Sequence, residues 1–206
     1  MLENFTQIQE GIYQVTPKLE NPVLPVLIAV HPYFGEPKQE QMRPRKVGED
    51  YCQARDRIFR EWAGKGNVAF FESFNDYWLK NFQERVLPIF SKGLYLVQQP
   101  FSIDEEFQEY FNSVASFLKT LGSEKFLFIG GGFGTYFDPR TWEKRMAGAC
   151  LSGAISRLAR GGVKGKIIAE ACFPKQASEK EQKNYLPGCN FYHGQTPPWE
   201  KSKDLK

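Results

Sequence analysis

The segment from Lys125 to Cys172 constrains the fold more than any other. It reads as an apolar strand (Phe126, Leu127, Phe128, Ile129) followed by the turn Gly130-Gly131-Gly132-Phe133-Gly134-Thr135. A polar and aromatic excursion runs from Tyr136 to Met146, and a helix opens near Cys150. Gly161-Gly162 stops that helix, and Lys166, Ile167, Ile168 and Ala169 lead a second buried strand into Glu170-Ala171-Cys172. Strand, turn, helix and parallel strand make one βαβ unit. Its glycine turn lies at the carboxyl end of a strand, where open α/β sheets bind their ligands.

The chain upstream repeats this alternation. Val23 to Val30 is apolar almost throughout, as a strand buried on both faces requires, with regular structure expected only after Pro25. It delivers His31-Pro32-Tyr33-Phe34-Gly35 to its carboxyl end. A helix is predicted over 49–63, with Ala54, Ile58 and Trp62 on one face and Gly64 beyond its end. Val68 to Phe71 makes a strand ending at Glu72-Ser73, and a helix from Asp76 to Leu87 stops before Pro88. Gly93 to Val97 is a further strand, reaching Gln98-Gln99-Pro100. The next helix opens with a capping box, Ser102 and Glu105, repeats Phe107, Phe111, Val114, Leu118 and Leu121 at helical spacing, and ends at Gly122. Strands alternating with helices predict a three-layer, Rossmann-like α/β domain with a mostly parallel sheet. It occupies residues 1–174, with its core in 23–174, and residues 175–206 read as a loop-rich extension.

Composition excludes several function classes. A net charge of +3 over 206 residues, with basic side chains scattered, argues against nucleic acid. No stretch approaches the ~20 apolar residues that a bilayer crossing needs, and Met1-Leu2-Glu3-Asn4 lacks the layout of a signal peptide. Cys52, Cys150, Cys172 and Cys189 follow no framework spacing, so reduced thiols in a cytoplasmic protein are expected. Cys189 and His193 are too few ligands for zinc, so neither a metal nor another cofactor is expected.

Residues 23–172 resemble the isochorismatase-like cysteine hydrolases. The first strand of that family ends in an aspartate with an aromatic soon after; here Leu27-Ile28-Ala29-Val30-His31 is followed by Phe34. A later strand ends in a lysine; here Leu96-Val97-Gln98-Gln99-Pro100-Phe101 holds that place. The family's nucleophilic cysteine opens a helix that a glycine ends, before a strand closing in Asp-Ala. Cys150, Gly162 and Glu170-Ala171 stand in matching register. The resemblance implies a small-molecule pocket at the carboxyl ends of the strands and assembly into homo-oligomers. Tyr136, Phe137 and Trp142 fit either burial by a partner subunit or closure over the chain's own pocket.

The departures bear on activity. The family's aspartate and lysine positions hold His31 and Gln98 or Gln99, and glutamine carries no charge. The ordinary triad is therefore degenerate, and a catalytically altered or silent member is one expectation. The other is an active cysteine hydrolase of small amides, with Cys150 as nucleophile, His31 as base and Gln99 beside them. Gly131, Gly132, Gly134, Thr135, Phe34 and Glu72 are the expected lining of the pocket. A further alternative is a nucleotide phosphate held by the Gly130–Thr135 turn, as in the similar loop of the lysine-decarboxylase-like phosphoribohydrolases.

Overall fold

The computed structural model describes residues 2–33, 49–99, 107–122, 124–131, 136–137, 144–145, 150–173 and 190–192. Two short strands, β1 (Thr6–Gln9) and β2 (Ile12–Gln14), open the chain as an antiparallel hairpin. The α/β alternation follows: β3 (Val26–Val30), α1 (Glu49–Trp62), β4 (Val68–Glu72), α2 (Asp76–Arg85) and β5 (Leu94–Gln98). It continues through α3 (Gln108–Lys119) and β6 (Phe126–Gly131). The excursion after β6 contains a two-stranded antiparallel ladder, β7 (Tyr136–Phe137) with β8 (Lys144–Arg145). Then come α4 (Cys150–Arg160), β9 (Gly165–Phe173) and β10 (Asn190–Tyr192).

Among the described residues the main sheet runs β1-β2-β5-β4-β3-β6-β9-β10. From β5 to β10 every neighbouring pair is parallel, and β2 joins the β5 edge antiparallel. After the edge hairpin the chain thus enters the central strand β3, winds outward through β4 and β5, returns to the other side of β3 and winds outward again. That is the doubly wound, Rossmann-like order, and its reversal falls between β3 and β6.

Each face of the sheet has its own core. Leu27, Ala29, Val68, Phe70, Leu94 and Leu96 pack on Ala54, Ile58, Phe59 and Trp62 of α1 and on Leu79 and Phe82 of α2. The alternate residues of the same strands, among them Ile28, Val30, Ala69, Phe71, Tyr95 and Val97, meet α3 and α4 through Phe111, Val114, Leu118, Leu151, Ala154 and Leu158. Full burial of both strand faces explains the uninterrupted apolar runs; each such side chain contributes about 1.5–3 kcal/mol. Trp62 adds polar anchoring, donating Nε1–H to the Pro25 carbonyl at 2.8 Å.

β3 begins at Val26, just after Pro25 as the sequence predicts; Val23 is exposed, and the amides of Val23 and Leu24 donate to Lys65 O. Other boundaries differ from the sequence expectation. α2 ends at Arg85, and Pro88 sits in a short 3₁₀ turn, Leu87–Ile89, where a missing N–H is tolerated. α3 starts at Gln108 with Phe107 at its N-cap and no side-chain capping bond. Ser102 and Glu105, the expected capping box, lie outside the described residues. The 175–206 extension is not all loop, since β10 adds a parallel strand beside β9. No described helix is long and apolar enough to cross a membrane.

Candidate functional site

The site forms at the carboxyl edge of the sheet, beside the reversal between β3 and β6. The residue after β3 is His31, and its φ of 41° places a non-glycine residue in the left-handed region. Such a backbone costs of order 1–3 kcal/mol and persists where the surroundings impose it. The surroundings here are specific. The His31 amide donates to Phe71 O at 3.0 Å. The next carbonyl, Pro32 O, accepts from Tyr51 Oη at 2.6 Å and Arg55 Nη1 at 3.1 Å, both from α1. Tyr33 packs against Phe59 and Phe70, with the guanidinium carbons of Arg55 and Arg85 each 4.1 Å from its ring centroid.

The register of β3 and β4 pairs Val30 with Phe71, which sets the residue after each side by side. These are His31 and Glu72. His31 Nδ1 meets Glu72 Oε1 in a buried contact, with only 6% and 1% of the two side chains exposed. The same carboxylate oxygen accepts the Ser73 amide at 2.9 Å, which fixes its orientation. The Trp78 ring lies 5.9 Å from the imidazole. Its turn of helix is set by Asn75, whose Oδ1 accepts the Trp78 amide at 3.1 Å.

Cys150 is the first residue of α4, half-buried, and near enough to His31 to act on its protonation. Burial of His31 by itself pushes the imidazole down. The Glu72 carboxylate, followed by the Cys150 hydrogen bond, outweighs burial and holds it at about 10 instead of 6.5. The site therefore favours the imidazolium form of His31, paired to a carboxylate and with a sulfur nearby.

Gln99, just past β5, is buried, and its amide donates to Glu72 O at 2.9 Å. Its Oε1 finds no hydrogen-bond partner among the described residues. Gly130 has a φ of 137°, and a Cβ there would collide with the Val30 carbonyl. Only glycine lets β6 close on β3 at this point. The β6–β9 register slips between Phe128 and Gly130, a bulge that bends the sheet edge beside the site. Gly131 is buried as the last residue of β6.

The structure thus brings His31, Glu72 and Cys150 together, with Gln99 one strand over from Glu72. Glu72, expected as pocket lining, meets His31 directly. Phe34, Gly132, Gly134 and Thr135 lie outside the described residues, as do Cys189 and His193. Cys172 is a thiol of another kind: burial pushes it up, only partly offset by a backbone hydrogen bond from Gly130, and it donates to Ile168 O at 3.2 Å. Sequence reasoning missed Tyr51 and Arg55, which hold the His31 turn. A tyrosine and an arginine four apart on the apolar face of α1 were the available signal, since polar tips on a buried face need partners.

Fold and site together define a doubly wound, Rossmann-like α/β protein with a thiol, an imidazole and a carboxylate at the reversal of its sheet. No protein-family model matches the chain, and no curated protein is significantly similar to it. A solved structure titled as a protein of unknown function from Vibrio parahaemolyticus is similar at 8% identity and a TM-score of 0.34, over 82% of this chain and 92% of that one.

Proposed function

We propose that the chain is a cysteine-dependent hydrolase of small amide-type substrates, a divergent relative of the isochorismatase-like enzymes. The observation that carries this reading is the buried His31–Glu72 pair, with Cys150 at the start of α4 near enough to raise His31 as well. The carboxylate absent from the end of the first parallel strand comes from the end of the second. On this reading the site is rearranged rather than silent.

The reacting form is the Cys150 thiolate beside the His31 imidazolium. The sulfur attacks the substrate carbonyl and forms a carbon–sulfur bond, while backbone N–H groups at the start of α4 face the developing oxyanion. As the carbon–nitrogen bond breaks, His31 gives its proton to the leaving amine and becomes neutral. It then takes a proton from water, which adds to the thioester. Carbon–sulfur cleavage releases the acid and restores thiolate and imidazolium. Glu72 keeps the imidazole in one orientation through both steps and offsets its positive charge. Cysteines outside any disulfide at positions 52, 150 and 172 fit a reducing, cytoplasmic compartment.

The test is acyl-enzyme trapping. A panel of small amides and activated esters is mixed with the native protein, quenched in acid and read by peptide mass spectrometry. An acyl adduct on Cys150 that disappears in Cys150→Ala, with the fold retained, is expected. Hydrolysis that survives Cys150→Ala unchanged would remove the proposal.

A further inference from the structure

We propose that Trp78 is a positioning residue for His31, and that its indole walls the imidazole and favours the charged form that serves Cys150. This rests on the thiol reading above. The centroid of the Trp78 ring lies 5.9 Å from that of His31, with the planes inclined at 46°. A cation within about 6 Å of an indole is drawn to the negative face of its π system, more strongly where water is excluded. His31 is 5% exposed, so little water competes for it. Trp78 itself is half-buried.

The groups at the imidazole come from three layers of the fold. Glu72 reaches it from the neighbouring strand β4. Trp78 belongs to α2, whose Leu79 and Phe82 pack on one face of the sheet. Cys150 opens α4, whose Leu151 and Ala154 pack on the other. An aromatic ring from one helical layer and a thiol from the opposite layer thus meet at the strand end that carries His31. The Asn75 cap fixes where α2 starts, and so where the indole stands. Among the described residues, Glu72 and Cys150 are the titratable groups acting on His31, and Arg55 of α1 reaches the neighbouring Pro32 carbonyl.

An aromatic wall and a plain apolar plug predict opposite signs. Burial alone pushes the imidazole down. Replacing a plug would admit water and let the imidazole rise. Removing a π face lowers it, because only the charged form had gained from that face. The Glu72 contact comes from the neighbouring strand and is common to every Trp78 variant.

The test is the His31 titration, followed by NMR of the imidazole protons in wild type, Trp78→Leu, Trp78→Met and Trp78→Phe. Leu and Met keep apolar bulk without a ring, and Phe keeps a ring. The midpoint is expected to fall by roughly half to one pH unit in the Leu and Met variants, and by less than about half as much in Trp78→Phe. A midpoint that is unchanged or rises in Leu and Met, or that falls as far in Phe as in them, overturns the role of Trp78. Failure of both the Leu and Met variants to fold overturns it too, by making the indole a structural plug. Iodoacetamide labelling of the wild-type protein separates this inference from the reading beneath it. A Cys150 that resists the reagent removes the thiol chemistry and the purpose of the indole with it, whereas a failed titration leaves a reactive Cys150 standing.

Discussion

His31 Nδ1 meets Glu72 Oε1 with both side chains almost entirely shut away from water, although 41 residues separate them along the chain. A buried ion pair contributes little net stability when intact, but breaking it by removing one partner costs about 3–5 kcal/mol. Glu72→Gln is therefore expected to lower the unfolding free energy by on the order of 3 kcal/mol in urea titrations. It should also release His31 from about 10 back toward 6.5 in an NMR titration of the imidazole protons. An imidazole that titrates near 6.5 in the wild-type protein already would contradict the pairing.

The same shift fixes a pH dependence of stability. His31 binds its proton more tightly folded than unfolded, so its contribution is complete below about pH 6.5 and disappears as the pH rises through about 10. The stability gap between wild type and His31→Gln should be widest at mildly acidic pH and shrink steadily across that window. Urea unfolding at several pH values reads it directly. A gap that grows with pH would have the wrong sign.

Two glycines with positive φ should respond differently to substitution. Gly130 lies where β6 meets β3, and a Cβ would enter the Val30 carbonyl; at Gly64 the φ is 73° and nothing lies within 4 Å of the added carbon. Gly64→Ala should cost only the left-handed backbone penalty of about 1–2 kcal/mol. Gly130→Ala should cost considerably more or prevent folding, because the obstacle is backbone. Chemical denaturation of the pair checks the contrast.

Tyr51 acts on the site through the backbone. Its hydroxyl donates to Pro32 O at 2.6 Å, next to the left-handed His31. Tyr51→Phe removes a single buried hydrogen bond, worth about 1 kcal/mol of stability. Arg55 still holds the same carbonyl, so the fold should survive. The informative readout is the rate at which Cys150 is alkylated, which should fall as the imidazole loses its fixed orientation. Stability loss with no change in that rate would make Tyr51 structural only.

The architecture was largely legible in the sequence, and the centre of the site was not. Runs such as Val68 to Phe71 and Phe126 to Ile129 are apolar on every residue because helices cover both faces of the sheet, and that pattern needs no partner to be seen. The β1–β2 hairpin leaves little trace in the sequence because Thr6–Gln9 is short, polar and mostly exposed at a sheet edge. β10 was hidden in a stretch rich in lysine, proline and glycine. Strand register is set by contacts between distant segments, so it cannot be read from either strand alone. That is why the sequence marks His31 and Glu72 separately and not as a pair. One clue was present: each is the first polar residue after a fully apolar run. Two parallel strands in matched register bring two such residues together.

The most direct measurement is time-resolved labelling of the native protein by iodoacetamide, followed cysteine by cysteine in wild type and His31→Gln. Cys150 should label before Cys52 and Cys172, and its rate should fall by at least about a hundredfold without the imidazole, the usual scale of an acid–base partner. A Cys150 that labels no faster than Cys52, or that keeps its rate in His31→Gln, would contradict a nucleophilic centre at this edge of the sheet.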